Sequence, residues 1–74
     1  MLGEELRKAR VGAGLTQEQL SFRAGLSRPY ISLLERDLKS PTLDTLFLLG
    51  NALGVSISAL VRRVERARGR QRRP

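Results

Sequence analysis

The stretch Thr16–Glu35, TQEQLSFRAGLSRPYISLLE, admits very few folds. Thr16 stands where it can cap a helix, and Gln19 can reach back to close a capping box, with Leu15 and Leu20 placed as a hydrophobic staple. A helix is therefore predicted from Gln17, with Leu20, Ser21 and Ala24 on its inward face. Gly25 can take the left-handed geometry that ends a helix and turns the chain. Ser27 offers a second cap, Leu26 and Ile31 a second staple, and Ile31 with Leu34 a second apolar stripe.

The flanking residues supply three more helices. Leu2, Leu6, Ala9 and Ala13 recur at helical spacing, with Glu4 and Glu5 in the first turn and Lys8 and Arg10 later, the order that suits the helix dipole. RDLKSP, residues 36–41, breaks the pattern and reads as a loop with two cations. Thr42 caps a fourth helix whose inward stripe is Leu43, Leu46, Leu49, Gly50 and Leu53, stopped by Gly54. Gly50 inside that helix costs about 1 kcal/mol against alanine unless another backbone comes close, and such an approach is expected. Ser56 caps a fifth helix with inward Ile57, Leu60, Val61, Val64 and Ala67, expected to run to Arg68 and stop at Gly69. The domain is thus expected to span residues 1–68, with 69–74 a disordered basic tail.

The fold class is all-α, one domain of 74 residues. A core this small is marginal, and without cysteine or histidine neither disulfides nor the usual metal sites can staple it, which leaves dimerisation. No cofactor is expected. No apolar run is long enough to span a membrane and the N-terminal segment lacks a signal peptide's apolar centre, so a cytoplasmic protein is expected. The net charge of +7 is unevenly spread. Residues 62–74 hold seven arginines against Glu65, while residues 1–61 are nearly balanced, seven basic against six acidic. Any DNA-binding surface on the folded part must then come from local placement of charge.

Two short helices joined around a glycine form a helix-turn-helix unit, whose second helix is shaped to lie in a major groove. That helix exposes Arg28, Pro29, Ser32, Leu33 and Arg36 once Ile31 and Leu34 face inward. Arg28 suits bidentate bonding to guanine, or otherwise a phosphate. Pro29 and Leu33 offer only apolar contact with a thymine methyl or plain surface, and Ser32 reaches a base or a phosphate. Ser27 and Tyr30 carry hydroxyls suited to phosphate, though Ser27 is first a cap and Tyr30 has packing as its alternative. Arg36, Lys39 and Ser40 are placed to clamp the backbone beyond the helix.

With Arg10, GLTQEQL (14–20), AGLS (24–27), YISLLE (30–35), SPTLDTL (40–46) and ALGVS (52–56) in this order, the chain resembles the lambda-repressor-like, Xre-type (Cro/repressor) helix-turn-helix family from Leu2 to near Val61. The resemblance implies a compact five-helix bundle that binds a two-fold symmetric operator on double-stranded DNA as a homodimer and regulates transcription. It also implies a phosphate contact for Gln17 and a structural ion pair between Arg10 and Glu35. The chain departs from the family at Asp37, where glycine is common, at Ser21, where alanine is usual, and at Phe22 and Leu48, where polar residues are usual. Asp tolerates left-handed geometry better than most residues, and Phe22 and Leu48 both face away from the core on a helical wheel.

The apolar stripe through Val61 and Val64 exceeds what a small core needs, which makes it the preferred dimer surface. The tail has three readings: phosphate binding, extension of a dimerising helix, or solubility. Within the leading reading, a small repressor, a restriction-modification controller and an antitoxin share the same motif. Two other classes compete: a protein-interaction module using Phe22, Leu48 or the tail, and a general nucleic-acid binder driven by the tail. An enzyme is the least expected class, since no nucleophile–base pair or metal cluster, and so no catalytic residue, can be assembled from these residues.

Overall fold

The computed structural model describes the backbone of residues 2–71 and the side chains up to residue 67. Among the described residues there are five helices and no strand: α1 (Leu2–Gly12), α2 (Gln17–Ala24), α3 (Arg28–Glu35), α4 (Leu43–Leu53) and α5 (Ile57–Gln71). Side-chain caps begin four of them. Thr16 and Gln19 form the reciprocal capping box of α2, and the hydroxyls of Ser27, Thr42 and Ser56 accept from the N–H groups of Tyr30, Thr45 and Ala59. Each cap meets an N–H that the helix itself cannot satisfy. Gly25 and Gly54 close α2 and α4 in the left-handed region.

Leu6, Leu20, Ile31, Leu34, Leu49 and Leu60 form the fully buried centre, so every helix contributes at least one side chain to it. The α3 helix packs on α1 and α2, α4 lies against α2, and α5 crosses α1 and α4. Two glycines carry close approaches. A Cβ on Gly50 would stand 2.8 Å from the Val55 carbonyl oxygen, the backbone approach expected there. One on Gly3 would stand 2.6 Å from the Leu34 carbonyl oxygen and run into that of Glu35, so α1 lies directly against the end of α3.

Three details differ from the sequence reading. Leu43 is 62% exposed although it continues the inward stripe of α4. It is the first residue of the helix, one turn beyond the part that packs, so its periodicity outruns the bundle. Ala13 likewise falls just past the end of α1 and is exposed. The α5 backbone passes through Gly69 to Gln71 instead of stopping there, because a glycine weakens a helix without forcing a left-handed turn. Residues 72–74 of the expected tail lie outside the described residues. No single helix among those described is long and apolar enough to cross a membrane.

Candidate nucleic-acid interface

The geometry of α3 follows from its ends and its buried stripe. Ser27 caps it, and Pro29 sits in the first turn, where a missing N–H costs nothing. Ile31, Leu34 and Glu35 are buried, which turns Arg28, Pro29, Ser32, Leu33 and Arg36 outward. Arg28 and Pro29 are exposed and Ser32 and Leu33 half-buried, so the outward face mixes apolar Pro29 and Leu33 with polar Ser32 and carries one free cation at its leading end. Arg28 makes no hydrogen bond or ion pair among the described residues, leaving its guanidinium fork available to an external acceptor.

At the other end, Arg36 folds back over its own helix, its Nε donating to the Ser32 carbonyl at 3.3 Å. Asp37 then takes φ 57° and reverses the chain, and its Oδ1 accepts from the Gly3 N–H at 2.9 Å. Left-handed backbone at the position of the family's glycine is therefore present with an aspartate, held by a bond across to α1. The loop that follows brings the Lys39 ammonium 5.9 Å from the Tyr30 ring centroid. Tyr30 is half-buried against the core edge, so its ring packs while Lys39 covers it. Ser40 is exposed in the same loop.

Beneath this face lies a polar cluster with Glu35 at its centre. Arg10 Nε donates to Glu35 Oε2 at 2.7 Å and Arg10 Nη2 to Oε1 at 3.2 Å, a bidentate pair, while Arg10 Nη1 reaches the Leu15 carbonyl at 2.8 Å. Gln17 adds a fourth contact, its Nε2 donating to Glu35 Oε1 at 3.1 Å. This last bond is absent from the sequence reading, which assigned Gln17 outward. It holds the first residue of α2 beside the last residue of α3. The second N–H of the Gln17 amide and the backbone N–H groups of Gln17 and Glu18, which begin α2, are the donors left for an anion.

The α5 residues Val61 and Val64 stand apart from this face, on the helix that packs against α1 and α4. Val61 is 43% exposed and Val64 half-buried. Glu5 is the residue that sequence reasoning passed over. Read only as a first-turn acid, it is 6% exposed and accepts from Arg63 Nε on α5 at 3.2 Å, with Lys8 Nζ 3.7 Å from its other oxygen.

Residues 6–60 match the family described as helix-turn-helix. An uncharacterized HTH-type transcriptional regulator of Sinorhizobium fredii, y4dJ, is 44% identical over 61 residues, which cover 82% of this chain and 79% of that protein. The restriction-modification controller protein C.AhdI from Aeromonas hydrophila superposes with a TM-score of 0.78 at 36% identity, covering 80% of this chain and 89% of that one. SinR, a master regulator for biofilm formation solved in complex with DNA, superposes with a TM-score of 0.78 at 29% identity over 82% of this chain and 98% of that one.

Proposed function

The chain belongs to the helix-turn-helix family, and on that premise we propose that it is a sequence-specific, double-stranded-DNA-binding transcription regulator acting in the cytoplasm, whose α3 enters the major groove. The observation that carries the reading is the outward face of α3. Its single unpaired cation, Arg28, stands at the leading end of a surface made by Pro29, Ser32 and Leu33, over a stripe anchored by fully buried Ile31 and Leu34. An arginine so placed can bond guanine O6 and N7 together, and the apolar neighbours suit thymine methyl groups. Gln17, Ser27, Tyr30, Arg36, Lys39 and Ser40 flank that face and are assigned to phosphates, which fix the helix in register without reading sequence.

The protein binds as a homodimer through α5, with Val61 and Val64 at the contact. Two half-sites then lie about 34 Å apart, one helical turn of DNA. No effector domain is needed in this scheme; occupancy follows dimer concentration. Phe22, 89% exposed on α2, and Leu48, 44% exposed on α4, are the apolar positions that favour an additional protein partner. Selection from a random duplex library at near-physiological salt tests the proposal. An inverted repeat with half-sites about 10 base pairs apart is expected. Enrichment of no sequence, or binding that vanishes with salt and with removal of residues 69–74, would instead favour the protein-partner and tail-driven readings.

A further inference from the structure

The pair between Glu5 and Arg63 joins residues 58 positions apart, and it is the one ion pair among the described residues that ties α5 to the rest of the bundle. Its setting differs from that of a surface bridge. The Glu5 side chain is 8% exposed and both its oxygens face cations, Arg63 on α5 and Lys8 one turn along α1. A carboxylate held that far from water is costly to leave without a partner. Apolar contact, by contrast, is non-directional and tolerates sliding. On α5 the fully buried side chain among those described is Leu60, an apolar pivot near the start of the helix, with Ile57, Ala59, Val64 and Ala67 half-buried along it. Beyond it, Arg63 is the directional restraint on how α5 lies across α1.

The other end of this connection is the reading helix. On its way to α3, α1 makes three attachments: the backbone approach of Gly3 to Leu34 and Glu35, the Gly3 N–H bond to Asp37, and the Arg10 pair with Glu35. Residue 63 also sits between positions 61 and 64. Arg63 points toward α1, away from Val61, so a restraint there fixes how α5 presents the proposed contact to a second copy and is transmitted through α1 to the end of α3.

We infer that Glu5 and Arg63 are positioning residues that set the distance and angle between the two α3 helices of a dimer, and hence the half-site spacing that the protein accepts. The inference rests on the reading that α5 forms the dimer contact. With the pair intact, a change in the angle of α5 separates Arg63 from a buried carboxylate, so one spacing is favoured over its neighbours. With the pair neutralised, α5 pivots about Leu60 and neighbouring spacings become nearly equivalent. Neither residue needs to touch DNA.

The test uses the full chain, with Arg63→Gln, Arg63→Lys, Glu5→Gln and Lys8→Gln variants. Affinity is measured for duplexes carrying two copies of the selected half-site, inverted, at the selected spacing and at one base pair more and one fewer. An isolated half-site serves as the reference. For Arg63→Gln and Glu5→Gln, the preference for the selected spacing should fall by about five-fold, the equivalent of about 1 kcal/mol. Affinity for the isolated half-site should stay within about two-fold, well inside the tenfold that 1.4 kcal/mol represents. Arg63→Lys keeps the charge and should retain most of the preference. Lys8→Gln, which touches Glu5 without reaching α5, should leave the spacing profile as it is. An unchanged profile in both folded neutral variants overturns the inference, and so does an equal effect from Lys8→Gln. If the unsubstituted chain sediments as a monomer and binds single half-sites only, the dimer reading falls and this inference falls with it. A dimer whose spacing ignores Arg63 sinks the inference alone.

Discussion

Replacing Arg10 with alanine should cost this domain a large share of its stability. Arg10 and Glu35 have side chains 13% and 3% exposed and meet through two hydrogen bonds, at 2.7 and 3.2 Å. Arg10→Ala leaves the Glu35 carboxylate buried, with the Gln17 amide as its remaining donor, and also removes the donor to the Leu15 carbonyl. Breaking a buried pair from one side costs about 3–5 kcal/mol. At about 0.05–0.15 kcal/mol per residue, a chain this long has about 4–11 kcal/mol in all, so about a quarter or more of the stability is lost. Urea unfolding followed by far-ultraviolet circular dichroism reads the change directly. The double variant Arg10→Met with Glu35→Leu should be much less damaging than Arg10→Ala, because no charge is left buried, and the double-mutant cycle isolates the coupling. If Arg10→Ala costs less than about 1 kcal/mol, the pair behaves like an exposed one and the structural role assigned to it is wrong.

Gly50→Ala gains up to about 1 kcal/mol of helix propensity yet should destabilise overall, since its Cβ meets a backbone oxygen at 2.8 Å and backbone is slow to yield; a rise in thermal midpoint would show that the α4–α5 corner can relax. Phe22→Ser should shift the unfolding free energy by no more than about 0.5 kcal/mol, because the ring is almost fully exposed. A larger loss on denaturation would mean that Phe22 packs in solution. Lys39→Ala should weaken binding to all DNA sequences alike and lower the salt slope by about 1, as expected of a phosphate contact. A change in base preference at one position would place Lys39 in the groove instead.

Much of this architecture is written locally. The capping box at Thr16 and Gln19, the hydroxyl caps at Ser27, Thr42 and Ser56, and the glycine turns at 25 and 54 lie within a few residues of what they determine, so sequence spacing exposes them. Gly50 was legible for a similar reason: a glycine inside an otherwise strong helix asks for a neighbour, and Val55 supplies it. The Arg10–Glu35 pair spans 25 positions and was visible only through family resemblance. Glu5 and Gln17 were not read for their main contacts. Each fits a bland local role, a first-turn acid and a solvated amide, and nothing in their spacing announces a partner 58 or 18 positions away. The fold places α1 across α5 and the start of α2 beside the end of α3, and only that packing gives the two side chains their bonds. Leu43 shows the converse limit, since periodicity reports the apolar face of a helix and says nothing of where the neighbouring helix ends.

The outward face of α3 is proposed to read bases through Arg28, and site selection with the intact chain and Arg28→Ala side by side tests this most directly. Because Arg28 is exposed and unpaired among the described residues, the variant should fold as stably as the intact chain. It should still select the operator but lose preference at one base in each half-site, a loss of about 1–3 kcal/mol in discrimination there. A variant that selects the same sequence with the same stringency would remove Arg28 from the bases and contradict the account.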